Sequence, residues 1–419
     1  MEPEAGSEGQ RQREMEPEAG SEGQRQREME PEAGSEGQRQ REMEPEAGSG
    51  CQAVLIGGCY EQILFGYRIK RPGQSWDPEA DFTHHAHTAS LTIVAVNDQC
   101  VATGSKDETI QLYNMKKKID QGSLLHHDGT VTCLEFYGNT HLLSGAEDGL
   151  ICVWNTKKWK CLKSIQAHKG HVSSLSVHPC GKLALSVGTD KTLRTWNLID
   201  GKSAFIKNIK QNAHIVQWSP SGDNYIVVSN NQLDIYTLKT ASINGTIMCK
   251  TRISSVKFII DSIIAVAGDE EYVRLYDTNS KKCLSEFKAH DTRVKVMDFF
   301  QVAQNHVLAT ASSDGYIKLW RVDIKKVQNS PLLLSEVNTS ARLTCLAVWL
   351  SDRASIAQEV EEQGTHCKDV ATNKHCKEKK NKIKLTPLDG AEHTKKTESK
   401  ILHKRKMSAE TKKRKKNKQ

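Results

Sequence analysis

Residues 84–87 read HHAH, and three imidazoles in four positions suggest metal or hydrolytic chemistry. His85 and His87, two residues apart, would share one face of a strand, as metal-binding pairs do. A metal site needs further ligands of matching softness, and the repeat described below requires no Cys, Asp or Glu cluster beside them. Other fragments go no further. His366-Cys367 and His375-Cys376 offer zinc-type donors in a polar stretch, at a spacing that fits no familiar finger. Gly201-Lys202-Ser203 ends like a phosphate-binding loop, but Trp196 stands where that motif needs its first glycine. No GxSxG, HExxH or EF-hand pattern occurs. The expectation is a chain that is not an enzyme, with no catalytic, cofactor-binding or metal-ligating residue and no small-molecule substrate.

The histidines have a different role, visible when stretches of the chain are aligned. "VATGSKDETIQLYN" (101–114), "LLSGAEDGLICVWN" (142–155), "LSVGTDKTLRTWN" (185–197) and "LATASSDGYIKLWR" (308–321) share one frame. Each has a Ser or Thr, three residues, an Asp, then an aromatic six residues beyond it. "SNNQLDIYT" and "AVAGDEEYVRLYD" fit more weakly. The aromatics Tyr113, Trp154, Trp196, Tyr236, Tyr276 and Trp320 are spaced by 41, 42, 40, 40 and 44 residues, a period that marks a propeller array. About 20 residues before the hairpin Asp of the strong lines comes a histidine. The full sets are His127, Ser144, Asp148, Trp154; His168, Ser186, Asp190, Trp196; and His290, Thr310, Asp314, Trp320. A partial set is His87, Thr103, Asp107, with Tyr113 in place of Trp. A buried carboxylate needs donors, and hydrogen bonds to a charged group contribute about 1.5–3 kcal/mol. Each set should therefore pin a loop to a tight turn. The fourth line has His214 but Ile226 and Asn230 at the Ser and Asp positions. The fifth has Val266 and Glu270 there, and Arg252 near the His position. Those two units are expected to hold by packing alone and to be softer.

The elements that must position these sets are short strands. Thr109-Ile110-Gln111-Leu112-Tyr113 alternates apolar and polar residues, and turn pairs such as Asp148-Gly149 separate partners. No long helical period appears between the ends of the chain. Six frames are visible. "RLTCLAVWL" (342–350) starts a seventh unit that lacks its final strands, and "YEQILFGYRI" (60–69) is an orphan strand at the other end. Circular closure solves both problems and removes an open sheet edge. The expected fold is all-β: a seven-bladed β-propeller over 55–350, closed by an N-terminal strand.

Charge is concentrated at the ends. Residues 1–50, three copies of MEPEAGSEGQRQRE and a truncated fourth, hold 14 Glu against 6 Arg, whereas residues 368–419 hold 19 Lys or Arg against 6 acids. Neither stretch offers an apolar face to bury, so disorder is expected for 1–50 and for the Lys-rich 351–419. The run containing Lys404, Arg405, Lys406, Lys412, Lys413, Arg414, Lys415 and Lys416 suits nuclear import or contact with nucleic acid. Glu2 and Glu4 exclude a signal peptide here, and no apolar run is long enough to span a membrane. Scattered single cysteines point to a reducing, intracellular compartment. With no chemistry of its own, a propeller acts through its loops. On the face carrying the hairpin turns, Lys106, Lys169, His171, Lys191 and Arg293 are the candidate partner-binding residues.

The His, Ser/Thr, Asp and Trp sets make the middle region resemble the WD40-repeat family. Longer strings carry a narrower likeness: "CYEQILFG", "DFTHHAHTAS", "TGSKDETI", "AHKGHVSSLSVHP", "GKLALSVGTDKTLRTWNL" and "SAFIKNIKQNAH". These resemble the p21-activated kinase-interacting family of WD40 proteins, from about Cys59 to Leu350. The resemblance implies a non-catalytic scaffold acting in the nucleus and nucleolus, in pre-60S ribosomal subunit assembly and rRNA maturation. It also implies binding to the regulatory part of p21-activated kinases, which restrains their activation. Implied partners are pre-60S assembly factors, the kinase and, through the basic tail, rRNA without sequence preference. The acidic 14-residue repeats depart from that family.

Overall fold

The computed structural model describes residues 52–71, 75–85, 87–302 and 304–351. They form seven four-stranded antiparallel sheets. Each sheet is one blade of a closed β-propeller, running from an inner to an outer strand. Blade 1 runs from Leu91–Val96 to Ile119–Leu125, blade 2 from Val131–Tyr137 to Lys160–Gln166, and blade 3 from Val172–Val177 to Lys202–Asn208. Blade 4 runs from Ile215–Trp218 to Ser242–Met248, blade 5 from Ile253–Ile260 to Cys283–Lys288, and blade 6 from Val294–Val302 to Leu332–Asn338.

Burial follows position within the blade. The second strands, such as Cys100–Ser105 and Ile263–Gly268, are buried along their whole length, so they read as continuous runs of small and apolar residues. The third strand Thr109–Asn114 alternates. Outer strands such as Ile119–Leu125 are mostly exposed and polar. The core lies between neighbouring blades: Ala95, Ala102, Ile110 and Leu112 of blade 1 pack with Leu134, Leu142, Cys152 and Trp154 of blade 2. Close approach demands glycine at one recurring place. A Cβ on Gly145 would meet Cys133 Sγ at 2.6 Å and Val172 Cγ1 of blade 3 at 2.9 Å, so any side chain there would push two blades apart.

Blade 7 closes the ring, and the N-terminus supplies more than the expected single strand. Its inner strand Leu343–Leu350 pairs with Ala53–Cys59, which pairs with Leu64–Arg71 and then Ser75–His84. Three N-terminal strands thus complete the blade, and Tyr60 lies in a turn ahead of the strand read at 60–69. Ala53–Cys59 does not alternate because it is buried throughout. Ser75–His84 is polar and largely exposed, so neither carries the pattern of a half-buried strand. Asp81, its side chain buried, bonds Arg68 within blade 7 and Lys118 of blade 1.

The inner strands also need their edges satisfied. Thr92 Oγ1 donates to Val131 O of the next blade, Thr132 Oγ1 to Val172 O at 2.6 Å, and Ser254 Oγ to Val294 O at 2.7 Å. Glu135 Oε2 accepts from Val177 N at 3.0 Å, and Asp298 Oδ2 from Val348 N at 2.9 Å. Burial pushes Glu135 up to about 8. The tails expected at 1–50 and 351–419, with the cation run from Lys404 to Lys416 and the His-Cys pairs, lie outside the described residues, apart from Ser351 in a turn.

Candidate functional site

One face of the ring carries the turns between second and third strands and the loops entering each inner strand. In blade 2, His127 Nδ1 lies 2.9 Å from Asp148 Oδ2, its Nε2 lies 2.8 Å from Ser144 Oγ, and Trp154 Nε1 donates to Ser144 Oγ at 2.8 Å. Blade 3 repeats this: His168 to Asp190 at 2.9 Å, His168 to Ser186 at 2.8 Å, Trp196 to Ser186 at 2.9 Å. Blade 6 does so with His290 to Asp314 at 3.1 Å, His290 to Thr310 at 2.8 Å and Trp320 to Thr310 at 3.0 Å. Blade 1 brings together His87, Asp107 and Thr103 at 2.9 and 2.8 Å.

A neutral imidazole with its proton on Nδ1 satisfies every member of the chain. Trp Nε1–H donates to the hydroxyl, the hydroxyl donates to Nε2, and Nδ1–H donates to the carboxylate. Burial holds His87, His127, His168 and His290 below the ordinary imidazole value, against the pull of the carboxylate. The Asp ties loop to turn: Asp190 accepts from Lys169 N in the entering loop and from Thr192 N and Oγ1 beyond the turn. Burial alone would raise it, but these donors with His168 hold it at about 2.

His84 stacks on Tyr113 with ring centroids 4.6 Å apart, while His87 joins the blade 1 network and His85 is exposed. His85 lies beyond the strand that ends at His84, so it does not share a strand face with His87.

Blades 4 and 5 overturn the expectation that packing alone holds them. His214 stands at the entry of its inner strand, where Nε2 donates to Ile253 O of blade 5 at 2.7 Å. It performs the edge-closing job that Thr132 does elsewhere. In blade 5, Thr251 Oγ1 donates to Glu270 at 3.1 Å, and buried Arg274 bonds both Glu270 and Glu286. Arg274 holds the Glu270 carboxyl below its ordinary range. Sequence reading missed Arg274 because it stands in the strand, outside the His and Ser positions of the frame.

The exposed candidates on this face fall into two groups. Lys169, His171 and Lys191 are exposed near blades 2 and 3, with His171 Nδ1 3.8 Å from Glu147. Lys106 and half-buried Arg293 line a cavity of about 260 Å³ at the channel mouth, together with Tyr60, Lys295 and Arg342. Elsewhere, donor atoms of His126, Cys152 and Cys161 lie within 4.8 Å of one another. That set could hold a soft cation, but it is one ligand short of a closed structural zinc site. Cys152 and Cys161 already point their sulfurs at Ser164 Oγ and Lys163 O.

The model of the WD domain, G-beta repeat, matches residues 120–155, 159–197 and 281–321. Each match closes on a blade whose Trp joins a complete network. A Xenopus laevis protein named p21-activated protein kinase-interacting protein 1-like is 67% identical over 296 residues, 71% of this chain and 82% of that protein. A Gallus gallus protein of the same name is 58% identical over 365 residues, 87% of this chain and 98% of that one. More distantly, the Schizosaccharomyces pombe Shk1 kinase-binding protein 15 is 27% identical over 311 residues, 73% of this chain and 87% of that one. With its seven blades and this likeness along the propeller, the chain belongs to the WD40-repeat family of p21-activated protein kinase-interacting proteins.

Proposed function

We propose that this chain is a non-catalytic docking platform that works in nucleolar pre-60S ribosomal subunit assembly and rRNA maturation. The observation that carries the platform reading is the hairpin face, where buried His–Asp networks fix loops whose outer residues are charged and exposed. Lys106, Lys169, His171, Lys191 and Arg293 are its contacts with assembly factors. The Lys-rich run from Lys404 to Lys416 supports nuclear entry and contact with rRNA. If about eight of its charges neutralise phosphates, log affinity for single strands falls with log salt at a slope near −6.

A second reading has its own support. Vertebrate relatives are named as interacting with p21-activated protein kinase, and the fission yeast relative as binding the kinase Shk1. On this reading the propeller binds the regulatory part of a p21-activated kinase and blocks its activation. One platform serves both partners. A tagged pulldown at two salt concentrations, scored for ribosomal precursors and for kinase, tests the pair. Recovery of both is expected, with precursors lost when 368–419 is deleted and kinase retained. Recovery of kinase alone at low salt would overturn the assembly role.

A further inference from the structure

The second residue of the inner strand is a hydroxyl in five blades: Thr92, Thr132, Ser173, Ser254 and Thr344. Thr92, Thr132 and Ser254 use it to bond the next inner strand, and Thr344 bonds Gly58 O of its own blade at 3.1 Å. Blade 6 places Lys295 there. The Lys295 side chain is half-buried and makes no hydrogen bond or ion pair among the described residues. Its surroundings are cationic. Burial, Arg293, Arg252 and Arg342 all disfavour its charge, and Asp269 opposes them. Asp269 is itself 3.7 Å from Arg293, and Glu61 accepts the Arg342 backbone N–H at 3.2 Å. Lys106 and Arg342 flank the ring of exposed Tyr60, at 6.0 and 5.7 Å from its centroid. A lysine whose side chain bonds no partner among the described residues, held among like charges in a cavity of about 260 Å³, has no counter-charge in contact with it.

We propose that the channel mouth on the hairpin face, built by Lys106, Arg293, Lys295 and Arg342, binds a phosphorylated side chain of a peptide partner. The proposal rests on the reading of this face as a protein-docking surface and names the chemistry of one partner. A dianion suits a cluster of this charge, because Arg offers paired donors and Lys a point charge to phosphate oxygens. The depression is compact, with Leu91 and Leu343 in its lining and hydroxyls from Ser313 and Thr344. A nucleic-acid strand needs a stripe of cations and several stacking rings, and Tyr60 is the single ring in this lining.

The test uses the full 419-residue chain and a fluorescent ten-residue Gly/Ser peptide carrying one phosphoserine. Its comparators are the same peptide with Ser and a ten-nucleotide oligouridine. Anisotropy titrations are run for wild type, Lys295→Gln, Arg342→Gln and, as control, Lys239→Gln, an exposed residue between the third and fourth strands of blade 4. The phosphopeptide should bind at least about tenfold tighter than the Ser peptide. Lys295→Gln and Arg342→Gln should each lose about tenfold or more, the scale of one charge-assisted bond, and Lys239→Gln nothing. Arg342 is exposed, so its variant keeps the test decisive if the Lys295 variant folds poorly. Equal binding of the two peptides, unchanged affinity in both mouth variants, or oligouridine binding tighter and losing more in those variants would overturn the proposal. If the phosphopeptide fails while the wild-type chain still captures kinase, the mouth assignment falls and the docking platform stands.

Discussion

Blade 3 and blade 5 solve the same problem with different chemistry. Both must fasten the loop entering an inner strand to the turn between the second and third strands. Blade 3 uses a neutral imidazole between a carboxylate and a hydroxyl, with Trp196 closing the chain. Blade 5 replaces that chain with a charged one, in which Glu270 takes Thr251 from the loop and Arg274 from the strand. Where a carboxylate stands at the turn, histidine is one of several ways to supply its donors. Burial holds the imidazoles of the first version below the ordinary imidazole value, and Arg274 holds the Glu270 carboxyl of the second below the ordinary carboxylate range.

Removing the carboxylate should have the largest effect. Asp190→Ala strands His168 Nδ1–H and two backbone N–H groups. Denaturant unfolding should show a loss of about 3 kcal/mol. In blade 5, Arg274→Ala leaves Glu270 short of its main partner and should cost about 2 kcal/mol. Arg274→Met fills the same space and should recover part of that loss only if paired with Glu270→Gln. Thr132→Val removes one edge bond to Val172 O and should cost about 1 kcal/mol.

Titration sharpens the contrast. His87, His127, His168, His214 and His290 all have values held below the ordinary 6.5. Below that value the unfolded chain binds more protons than the folded one, so stability is present above about pH 6.5 and falls as pH drops. Asp190, held at about 2 against 3.8, adds stability above 3.8 that is lost as pH falls toward 2. Glu135, raised from 4.5 to about 8, has the opposite sign: its contribution is lost as pH rises through that range. The midpoint of thermal unfolding should therefore fall from pH 7 to pH 5, by a few degrees. Glu135→Gln should raise it modestly at pH 8, measured by calorimetry.

Much of this was legible from residue types at fixed spacing. The aromatic period located the blades from Leu91 to Trp320, and the four His–Asp spacings identified residues that the fold brings within hydrogen-bond distance. What the frame could not carry were residues outside its slots. Arg274 reads as an ordinary polar strand position until Glu270 and Glu286 close around it. His214 is a histidine in the wrong register, 16 residues before Asn230, and it bonds the next blade instead of its own turn. Ser75–His84 is too polar to look like a strand, and it is held partly by Arg68 and Lys118 converging on Asp81. Lys295 gains meaning only when its place is compared with Thr92 and Thr132.

The most direct measurement is hydrogen–deuterium exchange of the intact chain, compared blade by blade at neutral pH. Amides in the second and third strands of blade 5 should exchange as slowly as those of blades 2 and 3, because Thr251, Glu270 and Arg274 fasten its loop to its turn as the His–Asp networks fasten theirs. If blade 5 opens well before its His–Asp neighbours, the imidazole network is indispensable and the equivalence between the two chemistries is wrong.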